Sequence, residues 1–224
     1  MSSWWSQSTT FWRQYRANFK HTGAVLPSGR SLGRALARHV RDRNCAAEQP
    51  LRILEVGPGT GAVTQHLAEA LGPCDQLDLC ELNSAFVEVL RGRLAQERPF
   101  VDVAARVRIF HQPVEQLAAD AKYDRIISGL PLNNFQVSEV EHLLTLLPTL
   151  LAPGGTLSFF QYIGIRKVRS AVVGAADRER LRGIGRAMDD VLRRGEFERD
   201  HVWINVPPAY VHHLRFVNDA AQAE

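Results

Sequence analysis

The segment Leu51–Gly61 is compatible with few folds. Its first part, Leu51–Val56, is a short apolar run, and Gly57-Pro58-Gly59 closes that run at once. A run of this length bounded by turn residues is typical of a buried strand in a parallel sheet. The glycines allow a tight turn and let a ligand approach the backbone closely. The segment therefore predicts a strand, a binding loop and the start of a helix.

Downstream, apolar runs of strand length alternate with amphipathic stretches of helix length. The predicted strands are Leu51–Val56, Gln76–Cys80, Val107–Phe110, Tyr123–Ser128, Thr156–Tyr162, His201–Asn205 and Tyr210–Val217. The predicted helices are about Ser31–Arg43, Ala62–Leu71, Ser84–Glu97, Val137–Leu151 and Ala175–Arg194, and Ser84 is the expected N-cap of the third. Such alternation predicts βαβ units around a parallel sheet. The last two strands lie too close in sequence for a parallel crossover, so we expect an antiparallel hairpin.

Five parallel strands followed by an antiparallel hairpin resemble the plan of the class I methyltransferases. The resemblance implies an α/β fold whose Rossmann-like, seven-stranded sheet ends in that hairpin. We expect two regions in the chain. Residues 1–45 form an N-terminal extension of amphipathic, basic helices, and residues 46–224 form the methyltransferase domain.

Composition excludes several classes of protein. The chain has 224 residues, of which 45% are hydrophobic and 23% charged, as in ordinary soluble globular proteins. Its three cysteines show no CxxC spacing, so we expect neither a disulfide framework nor a metal site. Prolines and glycines interrupt the most apolar stretch, Leu143–Phe160, which argues against a membrane-spanning helix. No secretory signal is apparent, and we expect a cytoplasmic protein.

The basic residues are concentrated at the N-terminal end. The net charge is only +3, yet residues 1–43 hold one acid, Asp42, and eight bases: Arg13, Arg16, Lys20, Arg30, Arg34, Arg38, Arg41 and Arg43. This asymmetry favours an anionic partner for the N-terminal segment. A second basic stretch follows the fifth predicted strand and either holds a lipid phosphate or forms a solvated face: Arg166, Lys167, Arg169, Arg178, Arg180, Arg182 and Arg186.

Residues 1–20 form a further predicted helix, and its aromatic residues share one face. At about 100° per residue, five of them fall within an arc of about 100°: Trp4, Phe11, Trp12, Tyr15 and Phe19. Arg13, Arg16 and Lys20 lie beside that arc. A helix with this pattern suits an anionic membrane interface, and the alternative is a helix that packs its aromatics on the protein core.

The sequence Glu55-Val56-Gly57-Pro58-Gly59-Thr60-Gly61 resembles the loop that binds S-adenosylmethionine (SAM). Its GxGxG spacing differs from the dinucleotide pattern, whose third glycine would fall at Ala62. The resemblance implies four SAM-binding residues: Glu55, Gly57, Gly59 and Gly61. The alternative is a plain tight turn between a strand and a helix.

The ends of the next strands supply further candidate cofactor contacts. Glu81 ends the second strand, where an acid can accept hydrogen bonds from two ribose hydroxyls. Many class I enzymes carry an aspartate for the adenine amino group after the third strand, but this chain has Pro113. Gln112 and the Val114 N–H are the expected substitutes. Ser128, at the end of the fourth strand, completes the predicted SAM site.

The loop Ser128–Phe135 resembles the Asn-Pro-Pro-Tyr loop of amino-methylating enzymes, in which backbone carbonyls and an amide hold the target nitrogen. Ser-Gly replaces the leading Asn of that loop, and Asn133 of this segment is a candidate catalytic residue. A flipped adenine needs an aromatic after the turn to stack on, and Leu132 stands there instead. The other candidates for contacting the amine or relaying its proton are Tyr15, His21 and Tyr162.

The chain as a whole resembles the bacterial SAM-dependent phospholipid N-methyltransferases of the soluble, rhizobial type. The resemblance rests on Lys20–Arg30, Glu55–Gly61, Glu81 and Ser128–Leu132. It implies methylation of phosphatidylethanolamine toward phosphatidylcholine, by a peripheral protein on the cytoplasmic face of the inner membrane. One alternative is an ornithine-lipid N-methyltransferase. The others are an rRNA adenine N6-methyltransferase using the basic N-terminus on phosphates, and a non-catalytic SAM-binding membrane adaptor.

Overall fold

One sheet organises the part of the chain that the computed structural model describes, residues 29–43, 49–117, 122–163 and 175–216. Its strands are β1 (Arg52–Val56), β2 (Gln76–Cys80), β3 (Val107–Phe110), β4 (Tyr123–Ser128), β5 (Leu151–Tyr162), β6 (Glu196–Val202) and β7 (Ala209–Leu214). Their order across the sheet is β3-β2-β1-β4-β5-β7-β6. The first five strands are parallel, and β7 is antiparallel to both of its neighbours. The predicted class I architecture with a terminal hairpin is confirmed.

Helices cover both faces of this sheet. They are α1 (Arg30–Leu36), α2 (Arg38–Arg41), α3 (Ala62–Ala70), α4 (Ser84–Gln96), α5 (Phe100–Val103), α6 (Val137–Thr149) and α7 (Ala175–Gly195). Successive strand residues point to opposite faces, which sorts the core into two layers. Ile53 and Ile127 pack with α1, α3 and α4, whereas Leu54 and Ile126 pack with α6 and α7.

Residues upstream of β1 contribute to the first of these layers. Leu32, Leu36 and Val40 of α1 and α2 are buried in the same cluster as Ile53. Contact with α3 is close, because a β-carbon at Gly33 would lie 2.4 Å from the His66 ring. The described part of the predicted N-terminal extension therefore packs directly on the sheet.

The predicted position of the last hairpin was wrong. Its first strand is β6, which begins at Glu196 directly after α7, rather than His201–Asn205. Residues of β6 alternate between half-buried and exposed, as suits the edge of a sheet, and most of them are charged or polar. A search for apolar runs misses such a strand. The prediction for β7 was closer, since it begins at Ala209 and ends at Leu214.

Smaller corrections concern element ends. The single helix predicted over Ser31–Arg43 is two helices that meet at Ala37. The N-cap of α4 is Asn83, whose side chain accepts a hydrogen bond from the Ala85 N–H, and not Ser84. In addition, β5 begins five residues before the predicted Thr156, at Leu151. None of the helices in the described ranges combines the length and apolar character needed to cross a bilayer.

Candidate active site

The loop after β1 follows a backbone course that favours glycine at three points. The φ angles of Gly57, Gly59 and Gly61 are 70°, 58° and 85°, all in the left-handed region that other residues rarely adopt. The N–H groups of all three donate within the protein, that of Gly59 to Glu81 as described below. Gly57 donates to the Cys80 carbonyl at 3.0 Å, and Gly61 donates to the Pro58 carbonyl at 2.9 Å.

Gly59 differs from its neighbours in what surrounds it. A β-carbon at Gly57 would lie 2.3 Å from the Leu130 side chain, and one at Gly61 would lie 3.1 Å from the Leu90 side chain. For Gly59, no described residue other than its two chain neighbours has an atom within 4 Å of that position, so this glycine borders open space. Gly57 and Gly61 thus shape the loop itself, and direct contact of these two with a cofactor stays a prediction.

Glu81 is hydrogen-bonded to the loop at Gly59. Its Oε2 accepts a hydrogen bond from the Gly59 N–H at 3.0 Å, and its Oε1 accepts one from the Asn83 N–H at 2.7 Å. The side chain is buried, and this burial raises its pKa although both hydrogen bonds act in the opposite direction. A carboxylate held by both oxygens beside open space fits the ribose hydroxyls of SAM.

Glu55 lies beneath the loop and is fully buried. Its Oε2 accepts a hydrogen bond from the Thr64 hydroxyl at 2.7 Å, which ties β1 to the first turn of α3. Burial raises the pKa of Glu55 to about 8, so the group is mostly protonated at neutral pH. Among the described residues, its Oε1 has no hydrogen-bond partner. The cofactor-binding role of Glu55 stays a prediction. In that role Glu55 would act as a neutral carboxylic acid.

The predicted adenine contacts lie after β3. The Gln112 carbonyl accepts a hydrogen bond from the Cys80 thiol at 3.2 Å, which joins this segment to the end of β2. Val114 is buried and opens a 3₁₀ turn, Val114–Gln116. The first N–H groups of a helical turn have no acceptor inside it, so the Val114 N–H suits the expected adenine contact.

The loop after β4 rests on the glycine loop. The Gly129 N–H donates to the Val56 carbonyl at 2.9 Å, and a β-carbon at Gly129 would lie 2.7 Å from the Gly57 carbonyl oxygen. Ser128 is buried, and its hydroxyl accepts a hydrogen bond of 3.4 Å from the Leu130 N–H. Ser128 therefore shapes the contact between the two loops.

Asn133 follows in a 3₁₀ turn, Leu132–Asn134, and is 6% exposed. Its side-chain oxygen, Oδ1, is buried without a partner among the described residues. The backbone of this turn is held by Arg180 of α7. The Arg180 guanidinium donates to the carbonyls of Asn133 and Phe135 at 3.0 Å and 2.7 Å.

Sequence reasoning missed these contacts of Arg180, because it grouped this residue with a basic stretch that either holds a lipid phosphate or forms a solvated face. The partners lie 47 and 45 residues apart in sequence, and no local pattern joins them. Neighbouring bases do form a solvated face, because Arg182 and Arg186 pair with Glu179 at 3.4 Å and 3.2 Å on the exposed side of the helix.

Tyr162 ends β5 at the same edge of the sheet as the two loops. Its ring packs edge-on against Phe160, with 5.0 Å between the ring centroids. Burial raises the pKa of the Tyr162 hydroxyl, so this group can donate a hydrogen bond at neutral pH but cannot act as a phenolate base. The other two predicted residues, Tyr15 and His21, lie outside the described residues, as does the predicted helix over residues 1–20.

Comparisons with known proteins agree with this geometry. The family model described as a methyltransferase domain matches residues 53–155. An ornithine lipid N-methyltransferase of Singulisphaera acidiphila is 29% identical over 143 residues, which cover 62% of this chain and 71% of that protein. A lovastatin diketide synthase of Aspergillus terreus is 32% identical over 119 residues, which cover 51% of this chain but only 5% of the synthase.

Among solved structures, an O-methyltransferase from Bacillus cereus superposes with a TM-score of 0.63 at 14% sequence identity. The superposition covers 92% of this chain and 90% of that one, and it supports the fold. The matched family model spans the glycine loop, Glu81 and the end of β4, the segments that hold most of the predicted cofactor contacts. The chain is therefore a SAM-dependent methyltransferase with the class I fold.

Proposed function

We propose that this methyltransferase transfers methyl groups to the primary amine of a membrane lipid. The observation that carries the proposal is the Oδ1 atom of Asn133, a buried acceptor with no partner among the described residues. A buried acceptor without a donor costs free energy, and this cost disappears when a donor arrives. The N–H of an amine substrate is a donor of the required kind.

The chain's own residues support such a reaction. Bound SAM supplies an electrophilic methyl group on a sulfonium, and Gly59 and Glu81 are the residues that would hold it. The Asn133 oxygen accepts one amine N–H and thereby leaves the nitrogen lone pair free to point elsewhere. Arg180 holds the Asn133 and Phe135 carbonyls in place, so the acceptor is positioned before the amine arrives. Such positioning is a large part of catalysis in a transfer between two bound groups.

The amine must lose its proton before it reacts. A free primary ammonium has a pKa of about 10.4, close to that of lysine. Leu130, Leu132 and Phe135 are all buried around the Asn133 turn. An apolar site disfavours the charged ammonium and shifts the equilibrium toward the neutral, nucleophilic amine. A neutral Tyr162 hydroxyl can orient that amine or a water beside it.

Two lipid headgroups are candidates for the methyl acceptor. Ornithine lipid is favoured by the name of the Singulisphaera acidiphila relative, whose alignment extends over 62% of this chain. Phosphatidylethanolamine is favoured by the family resemblance of the sequence, and both lipids present a primary amine. In this proposal the aromatic, basic segment over residues 1–20 binds the anionic, cytoplasmic face of the inner membrane.

The decisive experiment supplies the full chain with methyl-labelled SAM and one acceptor at a time. The acceptors are vesicles with phosphatidylethanolamine, vesicles with ornithine lipid, and deproteinised rRNA. We expect label in a lipid. Label in RNA alone would establish the adenine methyltransferase alternative. SAM binding without label in any of the three would establish the non-catalytic adaptor.

Asn133→Ala tests the role of the orphaned oxygen in the same assay. Loss of one hydrogen bond to the reacting group should lower kcat about tenfold to a hundredfold while SAM affinity is retained. The matched control is Asn134→Ala, since Asn134 is the next residue of the same turn and is exposed. Equal activity of the two variants would contradict the assigned role.

A further inference from the structure

The turn between β6 and β7 carries an unusual apolar surface. Trp203, Ile204 and Val206 are 61%, 86% and 73% exposed. Contiguous exposed apolar side chains on a soluble domain mark an interaction surface far more often than isolated ones do. These three residues are hereafter the apolar tip.

Sheet register places the apolar tip at the edge of the cofactor crevice. Val202, the last residue of β6, pairs with Ala209, and Ala209 pairs in turn with Tyr162 at the end of β5. The Ile163 N–H also donates to the Pro208 carbonyl at 2.7 Å. Since β5 is parallel to β4, the tip projects from the same edge of the sheet as the glycine loop and the Asn133 turn.

Asn205 gives the tip a defined shape. It is buried in the middle of the exposed residues, and its Nδ2 donates to the Pro207 carbonyl at 2.7 Å. Its Oδ1 accepts a hydrogen bond from the Gly29 N–H at 3.0 Å. The tip is thereby fastened to Gly29, the residue that precedes α1.

Exposed bases line the neighbouring helices. Arg30, Arg34 and Arg41 recur at helical spacing along α1 and α2, and all three are exposed. Arg41 pairs with Asp42 at 2.9 Å, but no acidic side chain in the described ranges pairs with Arg30 or Arg34. A groove of about 400 Å³ separates these helices from the tip, with Arg34 and Trp203 among its lining residues.

We propose that the apolar tip inserts into an anionic lipid surface while Arg30 and Arg34 contact the lipid phosphates. Tryptophan and aliphatic side chains enter the boundary between headgroups and acyl chains, and bases strengthen binding to anionic lipids. This contact would hold the crevice edge against the membrane. It deepens the proposed function and rests on it in one respect, because only a lipid substrate requires the crevice to face a bilayer.

Vesicle binding tests the inference directly. The full chain is sedimented with vesicles of phosphatidylcholine, with and without phosphatidylglycerol. We expect binding to require phosphatidylglycerol and to weaken about tenfold or more in the double variant Trp203→Glu, Ile204→Glu. The control is Val89→Glu, since Val89 is 42% exposed on α4, away from the tip. Unchanged affinity of the double variant would overturn the inference.

Tryptophan fluorescence supplies a second measurement. The chain has four tryptophans, so replacement of Trp4, Trp5 and Trp12 by Phe leaves Trp203 as the sole emitter. Brominated acyl chains in the vesicles should quench Trp203. If Trp203 is already shielded from an aqueous quencher without vesicles, another part of the chain covers the tip and the inference is wrong.

The two proposals fail in different ways. Vesicle binding is measured without SAM and does not depend on methyl transfer. If the protein docks through the tip but methylates no lipid amine, only the proposed function is contradicted. Conversely, the double variant could bind vesicles as tightly as the unaltered chain and still methylate a lipid. That result would contradict the docking inference alone.

Discussion

Glu55 and Glu81 show how two buried carboxylates of one site come to differ. Both lie at the ends of neighbouring strands and both are buried. Glu81 receives two backbone hydrogen bonds, which favour its charged form. Glu55 is fully buried, and although Thr64 donates to it, burial raises its pKa to about 8. Glu81 thus suits the recognition of a polar group, whereas Glu55 supports the loop as a neutral group.

Glu55 makes stability depend on pH. Because the folded pKa of about 8 exceeds the unfolded value of 4.5, the folded state binds the proton more tightly. Its contribution is fully present below about pH 4.5 and is lost as the pH rises through about 8. Between about pH 4.5 and about pH 8, the free energy of unfolding should therefore fall less in Glu55→Gln than in the unaltered chain. The difference should be on the order of a few kcal/mol.

Urea unfolding at about pH 5 and about pH 8 checks this difference. Other titrating groups are common to both proteins and cancel in the comparison. Glu88→Gln, at an exposed position of α4, is the control and should behave as the unaltered chain. Parallel curves for Glu55→Gln and the unaltered chain would show that Glu55 is charged in the folded state.

At the scale of elements, the contact between α7 and the turn after β4 matters most for catalysis. Arg180 lies on the second turn of α7, and its two bonds to carbonyls fix the backbone around Asn133. Its guanidinium also lies 3.2 Å from Asp177, one turn earlier. A long helix thereby positions a short turn that has few hydrogen bonds of its own.

Removal of this contact should slow the reaction more than it weakens binding. We expect Arg180→Ala to lower kcat about tenfold or more, since two charge-assisted hydrogen bonds to the turn are lost. SAM affinity should hold, because the glycine loop and Glu81 do not contact Arg180. Steady-state kinetics separates kcat from KM, and Arg182→Ala serves as the control on the exposed face. A fall in SAM affinity equal to the fall in kcat would mean that Arg180 supports the whole domain instead.

At the scale of the whole molecule, the half-buried His39 and the buried His213 join the helix α2 to the terminal hairpin. His39 of α2 stacks edge-on against His213 of β7, with 4.4 Å between the ring centroids. Its Nε2 lies 3.2 Å from Glu198 on β6, and the bases Arg38 and Arg125 are also near. Burial, followed by the charge of His213, lowers the pKa of His39 to about 4.

This junction should loosen in acid. A lowered folded pKa means that stability is present above the ordinary value of 6.5 and is lost as the pH falls through about 4. His39→Gln should therefore lose less free energy of unfolding between about pH 6.5 and about pH 4, by about 1–3 kcal/mol. Urea unfolding measures the difference, with the exposed His111→Gln as the control. Equal acid sensitivity in all three proteins would rule out His39 as the titrating group.

The amino-acid sequence by itself determined the class of fold and predicted where the site lies. Apolar runs, helical spacing and glycines are local signals, and they correctly located Gln76–Cys80, Val107–Phe110 and Tyr123–Ser128 as strands. The parallel arrangement of those strands then required the loops that follow them to meet at one edge. This search for apolar runs missed the polar edge strand β6. Its pairing with β7 makes it a strand, and no apolar pattern in the sequence marks it.

Tertiary structure alone decided the chemical state and the surroundings of the site residues. It buries Glu55, which raises the pKa of this carboxyl to about 8, and it directs Arg180 to two backbone carbonyls. It also leaves the Asn133 side-chain oxygen without a partner among the described residues. It also separated Gly59, which borders open space, from Gly57 and Gly61, which do not. Burial and hydrogen bonds between residues dozens of positions apart depend on how the elements pack. No periodicity along the chain records that packing.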